Sequence, residues 1–298
     1  MIRNLSPIQL GGSLYIPATH KNVASICNLN KYPTLRSCII DTEDAIDEND
    51  LDLALENISK MLEDYEPTEL CVFIRPRNPE VFHALLKLKN INKIDGFSLP
   101  KFSTELMRHY AQILSFCGHQ FYLMPVLESR DIFSQEKLEE IRSFLLNSNL
   151  HILSLRLGGE DMMQYLGLKR KCEDNIYSLV APSKVIADVI NTFKPFGFNI
   201  SATVFNCINQ PELYEENVKE DLHQGLLGKT IIHPNQIEAI NETYKVNKNE
   251  YEMAIKMLDK STKAIIVQDG QMGEKFAHSS WAKIILQRHQ FYGLKEDN

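Results

Sequence analysis

The chain has 298 residues, 44% of them apolar and 24% charged, with 39 acidic against 32 basic side chains and a net charge of -7. That composition excludes a disordered chain, and its acidic balance, without any block of Lys and Arg, argues against a nucleic-acid partner. No stretch approaches the roughly 20 apolar residues needed to span a bilayer, which argues against a membrane role. The first ten residues carry one Arg and no long apolar run, so they read as neither leader nor anchor and a cytoplasmic location is expected.

Length alone fits two average domains or one α/β barrel, so chain order must decide. Eight short β-rich runs bounded by polar or Gly/Pro punctuation appear at Ser13–Pro17, Ser37–Asp41, Leu70–Arg75, Ile94–Pro100, Phe121–Glu128, His151–Gly158, Asn199–Asn206 and Lys229–His233. Several are almost continuously apolar, as expected of parallel strands covered on both faces. Helical spacing fills the intervals. Val185, Ile186, Val189, Ile190 and Phe193 share one face before Gly197, and Asn209 is expected to cap the next helix with Pro211 in its first turn. Eight alternating units predict a TIM (β/α)₈ barrel, with an open doubly wound sheet as the alternative.

Helices are expected at Pro234–Tyr244 and Glu250–Lys263, followed by a strand-like run at Ala264–Val267 and a loop at Gln268–Lys275. A last amphipathic helix is marked by Ala277, Trp281, Ile284 and Ile285. This divides the chain into a barrel over residues 1–263 and a C-terminal helical extension over 264–298, read as a lid or a subunit contact, the latter implying a homo-oligomer. The cysteines at 27, 38, 71, 117, 172 and 207 form no Cys-x-x-Cys pair and are expected to be reduced packing residues.

In such a barrel the loops at the strand C-termini build the active site, so charged residues ending apolar runs are the candidates. They are Asp41, Glu43 and Asp44 after the second strand, Arg75 after the third, Lys101 after the fourth, Glu128 after the fifth, and Glu160 and Asp161 behind Gly158-Gly159 after the sixth. Glu128 closes an apolar run where a carboxylate is costly unless something positive meets it. Paired with Asp161 it makes an oxygen-only donor set suited to Mg²⁺, with Mn²⁺ as the alternative. Glu128 could instead pair with an Arg, and Asp161 could cap the helix expected at Met162–Leu166. Arg75 has a planar fork suited to a substrate carboxylate, or could neutralise Asp41 or Glu43. Asp41 is assigned mainly to structure and Glu43 to the pocket. Lys101, Gly159 and Glu160 join Arg75 as candidate substrate contacts, and His233 before Pro234 is read as orienting the loop into the next helix.

The ordered set Tyr15-Ile-Pro, Ile40-Asp-Thr-Glu-Asp-Ala-Ile46, Ile74-Arg75, Leu99-Pro-Lys101, Val126-Leu-Glu128, Gly158 through Asp161, and Gly228-Lys-x-x-Ile-His-Pro-x-Gln-Ile237 resembles the citrate lyase β-subunit-like family, related to the HpcH/HpaI aldolases. The likeness runs from about residue 13 to about residue 290. It implies a TIM barrel with Mg²⁺ on Glu128 and Asp161 and with Arg75 on a substrate carboxylate. The chemistry it implies makes or breaks a carbon–carbon bond beside a carbonyl, in a 2-oxoacid or its acyl-CoA or carrier-protein thioester adduct. Two departures stand out. Pro17-Ala18-Thr19-His20 replaces the family's Pro-Gly turn after the first strand, and the tail motif reads Asp269-Gly-Gln-Met-Gly-Glu274 where relatives end in Asp. Glu274, or failing that Glu43, is expected to move the proton. The rival reading is a noncatalytic metal- and oxoacid-binding or assembly protein derived from such a lyase.

Overall fold

The computed structural model describes residues 3–261, 264–268 and 270–296. Its parallel strands are β1 (Gly12–Pro17), β2 (Ser37–Asp41), β3 (Cys71–Arg75), β4 (Gly96–Leu99), β5 (Tyr122–Leu127), β6 (His151–Ile152), β7 (Leu155–Leu157), β8 (Ile200–Ser201) and β9 (Lys229–Ile231). β6 and β7 are two pieces of one barrel strand, since both pair with β5. The order β8-β7-β5-β4-β3-β2-β1-β9 closes through a parallel bridge between Ala202 and Lys229. The result is the expected eight-membered (β/α)₈ barrel.

Alternation along the strands sorts side chains between the barrel interior and the helices outside. Ile39, Cys71, Phe73 and Met124 pack together in one buried cluster with Leu5, Leu10 and Leu153. Two residues further along the same strand faces come Asp41, Arg75 and Val126, and then Glu128 beyond Val126. The period of two therefore delivers the polar residues to the interior at the C-terminal mouth. In chain order the helices begin α1 (Val23–Cys27), α2 (Leu51–Asp64), α3 (Pro79–Leu85), α4 (Met107–Ser115), α5 (Gln135–Asn147), α6 (Gly159–Tyr165), α7 (Val180–Phe193), α8 (Pro211–His223) and α9 (Gln236–Tyr244), and the outer layer includes α2, α5, α7 and α8. α7 runs into a short 3₁₀ turn that ends at Gly197 with φ of 87°, a left-handed conformation suited to glycine. α8 starts one residue later than expected. Pro211 takes its first position, so Gln210 rather than Asn209 flanks it, without a side-chain cap.

Two of the cysteines are not the reduced packing residues expected. Cys172 and Cys207 form a disulfide with Cα atoms 5.7 Å apart, because the loop after α6 (Gly159–Tyr165) and the loop after β8 meet in space across 35 positions of sequence. Cys27, Cys38 and Cys71 are free and buried.

The chain packs as two compact units, residues 1–237 and 238–298. In the second, α10 (Lys248–Leu258) lies against α11 (Lys275–Tyr292) around Val246, Ala254, Met257, Ile266, Ala282 and Ile285. The expected loop at Gln268–Lys275 is instead mostly strand. β10 (Ile265–Gln268) and β11 (Gln271–Glu274) form an antiparallel hairpin, with Gly270 at φ of 77° in the turn. Asp269 and Lys263 lie outside the described residues. No helix among the described residues is long and apolar enough to cross a membrane.

Candidate active site

The residues ending β2 and β3 form a tight ion cluster. Arg75 donates from Nε to Asp41 Oδ1 at 2.7 Å and from Nη2 to Asp41 Oδ2 at 2.6 Å, a bidentate pair between buried groups. Its Nη1 sits 2.8 Å from Glu43 Oε2, too oblique for a hydrogen bond, and 3.3 Å from Asp44. Burial works to lower the Arg75 pKa, but the hydrogen bonds and charge of Asp41 outweigh it and hold the guanidinium well above its ordinary range. Asp41 also accepts from the backbone N–H groups of Glu43 and Ala45, so the loop after β2 is folded around it. Asp41 thus anchors Arg75 as well as lining the cavity.

Glu43 is buried, accepts from Lys101 Nζ at 2.6 Å, and has its pKa pushed up by burial against the opposing pull of Arg75 and Lys101. Lys101 takes a left-handed backbone with φ of 48° and donates its own N–H to Glu128 Oε1 at 2.9 Å. Its ammonium pairs with Glu43 and lies 3.8 Å from Asp44. Burial works to lower its pKa, yet Glu43 keeps it above the ordinary value.

Glu128 is only 3% exposed. Burial first, then the charges of Glu43 and Asp161, push its pKa up to about 8 although Arg75 and the Lys101 N–H pull it down. Gly158 makes room for it: a Cβ there would come within 2.2 Å of Glu128 Cβ and 2.5 Å of its Oε2. Gly159 is likewise closed in, with Thr203 Cβ 2.8 Å from where its own Cβ would stand. α6 begins at Gly159, so Asp161 lies inside its first turn instead of capping it. Asp161 is half-buried, and burial also raises its pKa.

These groups open on a cavity of about 610 Å³ lined by Arg75, Glu128, Gly159, Glu160 and Asp161. Glu43 and Lys101, expected in the pocket, are not among its lining residues; Lys101 bonds to Glu128 through its N–H and to Glu43 through its ammonium. Tyr15, Arg156 and Thr230 also line the cavity; Tyr15 enters the sequence reading only as part of the family motif, and Arg156 and Thr230 do not enter it. The Tyr15 ring lies between Arg75 and Arg156, 4.9 Å and 5.5 Å from their guanidinium carbons. The only signal for Arg156 was a cation within an otherwise apolar run. His233 accepts from the Asn235 N–H at 3.2 Å, which fits a role in shaping the loop. Glu274 belongs to the second unit, exposed at the start of α11.

The donor set suits a hard cation. Glu128 and Asp161 both line the cavity and are the carboxylates that would hold such an ion, the other positions going to water and substrate oxygens; among the described residues no cluster of three or more His, Cys, Asp or Glu is assembled for a metal. The family model for the C–C bond lyases of the TIM-barrel fold matches residues 4–294. The chain belongs to that family. It is a divergent, citrate lyase-like member and a carbon–carbon lyase. Mitochondrial citramalyl-CoA lyase of Rattus norvegicus is 25% identical over 78% of this chain and 70% of its own. Citrate lyase subunit beta of Leuconostoc mesenteroides subsp. cremoris is 25% identical over 80% and 81%. The crystal structure of CitE from Mycobacterium tuberculosis, in complex with magnesium, acetoacetate and coenzyme A, superposes on this lyase with a TM-score of 0.69 at 18% identity, covering 95% of this chain and 99% of that one.

Proposed function

We propose that the lyase holds Mg²⁺ between Glu128 and Asp161 and makes or breaks a carbon–carbon bond beside the carbonyl of a 2-oxoacid. The observation that carries this is the state of Glu128. It is a buried carboxylate on the cavity wall with its pKa raised to about 8, and the nearby cations Arg75 and Lys101 are already engaged by Asp41, Glu43 and Asp44. A carboxylate so placed calls for a cation from solution. When bound, Mg²⁺ supplies Lewis-acid polarisation of the carbonyl and offsets the negative charge that develops as the bond breaks; Mn²⁺ fits the same donors.

The chain's own groups do the rest. Arg75, fixed by Asp41, lines the cavity and would take a substrate carboxylate by exchanging its contact with Glu43 or Asp44 for it, while Gly159 and Glu160 would border the bound molecule. The proton goes to or from the carbon through Glu274 or Glu43. Glu43 is already held by Lys101 and Arg75, which favours Glu274. Exposed apolar side chains on the tail, Val267 of the hairpin at 71% and Phe276 in the first turn of α11 at 93%, support a subunit contact that would deliver it in a homo-oligomer.

The loop after β1 favours a free oxoacid over a CoA or carrier-protein thioester. The Ala18 N–H is spent on Asp41 O and the His20 N–H on Pro17 O, leaving neither amide for a phosphate. The test is metal-dependent turnover of oxaloacetate and pyruvate with and without CoA, alongside exchange of the α-hydrogens with deuterated water. Mg²⁺-dependent exchange lost in Glu128→Gln is expected. Binding of metal and oxoacid with no exchange would instead favour a noncatalytic binding protein.

A further inference from the structure

We infer that Arg156, on the floor of the cavity, is a second anion receptor. It selects oxoacids that carry an anionic group at the end opposite the metal-chelating carbonyl. This rests on the oxoacid reading of the same cavity and adds to it the residue that sets substrate range.

Arg156 stands in β7 between Leu155 and Leu157, with Val126 as its register partner in β5. Glu128 is two residues beyond Val126 towards the mouth, so the guanidinium belongs to a layer roughly 6–7 Å deeper along the strand direction. It is 1% exposed and lines the cavity. Its Nη1 donates to Ser13 Oγ at 3.2 Å and its Nη2 to Thr230 Oγ1 at 2.7 Å, with Met124 Sδ at 3.9 Å and the Tyr15 ring alongside. Its Nε is buried with no hydrogen-bond partner.

None of those neighbours carries a negative charge, and among the described residues no Asp or Glu lies within 4.0 Å of the guanidinium. Arg75, by contrast, is surrounded by Asp41, Glu43 and Asp44. A guanidinium stays charged in a protein, and an unmet buried charge costs several kcal/mol. Packing alone gives no reason to place one here, since Val126 and Met124 fill neighbouring inward positions with apolar atoms at no such cost. The two hydroxyls orient the fork and leave its charge unmet. An anion entering from the mouth supplies the missing counter-charge. A short oxoacid chelated at the Glu128–Asp161 level would extend its far end towards this floor.

The test measures binding of oxaloacetate, of its 4-amide and of pyruvate by calorimetry, with and without Mg²⁺, to the wild-type protein and to Arg156→Met and Arg156→Lys. The wild type is expected to bind oxaloacetate more tightly than the 4-amide or pyruvate by about 30-fold or more, the loss typical of removing one partner of a buried charge pair. Arg156→Met should erase that preference, Arg156→Lys should keep part of it, and the affinity for Mg²⁺ alone should not change. Equal binding of all three compounds by the wild type, or no binding of any, overturns the inference whether or not the variants fold. A folded Arg156→Met protein that keeps the preference also overturns it. Loss of Mg²⁺ binding by the wild type would instead sink the metal reading, while the metal-free ligand series still reports on Arg156.

Discussion

Replacing Glu128 by Gln is expected to make the metal-free lyase more stable at alkaline pH while removing its hold on Mg²⁺. The Glu128 pKa is raised from 4.5 to about 8 by burial and by the neighbouring charges of Glu43 and Asp161. Between those two values the folded chain keeps a proton that the unfolded chain has released. The sign follows from linkage: stability is full below about 4.5, declines as pH rises, and is lost by the time pH has passed through about 8. At roughly 1.4 kcal/mol per tenfold change in proton affinity, the whole decline is on the order of 3–5 kcal/mol. Gln stays neutral and can still accept the Lys101 N–H, so it escapes that decline. Urea unfolding in chelator from pH 4 to pH 9 should therefore give curves that coincide at the acid end and separate towards the alkaline end, with the variant more stable. Mg²⁺ should restore the wild type at pH 8 by mass action and leave the variant where it was. Parallel pH profiles for the two proteins, or equal stabilisation of both by Mg²⁺, would refute the assignment of Glu128 as a desolvated carboxylate awaiting a cation.

Gly158→Ala puts a Cβ 2.2 Å from Glu128 Cβ; the displaced carboxylate should lose Mg²⁺ affinity and turnover by about 100-fold or more, with a stability loss of about 1–3 kcal/mol, read by calorimetry and thermal melting. Reducing the Cys172–Cys207 bridge, which closes a loop of 35 positions, should lower stability by about 3–4 kcal/mol in urea unfolding, and Cys172→Ser should show the same loss with no further effect of reductant. Glu274→Gln should depress kcat at an unchanged Mg²⁺ affinity, and Phe276→Ser should shift the protein to a smaller species in sedimentation, since that side chain is 93% exposed in the single chain.

The barrel was legible because its strands announce themselves locally. Ser37–Asp41 is a continuous buried run in sequence and in space, and a charged residue that ends such a run is placed at the mouth by the architecture alone. Glu128, Asp161 and Arg75 reach the cavity wall by that route. What sequence could not display is partnership across the barrel. Nothing local shows that Asp41 takes both edges of the Arg75 fork or that Cys172 meets Cys207. The tail hairpin was read as a loop because Gln271-Met-Gly-Glu274 has little β propensity, and pairing with Ile265–Gln268 overrides it. Arg156 is hidden for the opposite reason: it sits inside the strand, away from the strand ends that mark the mouth.

Burial penalises the charge of both arginines, but only Arg75 is met by carboxylates. Arg75 is enclosed by carboxylates that would otherwise repel one another, so Arg75→Met strips the cluster of its counter-charge. Breaking a buried ion pair of this kind costs about 3–5 kcal/mol. Arg156 meets hydroxyls, a thioether and an aromatic ring. Arg156→Met gives up two neutral-acceptor hydrogen bonds, worth roughly 1–3 kcal/mol each for a charged donor, and removes a desolvation cost of several kcal/mol. The ligand-free variant should therefore be within about 1–2 kcal/mol of wild type, or more stable. Urea unfolding of the two variants in the same buffer separates the roles. If Arg156→Met destabilises the free protein as much as Arg75→Met does, Arg156 is a strut of the barrel; if it leaves the fold intact and only the anion affinity falls, the charge is kept on the floor for the substrate.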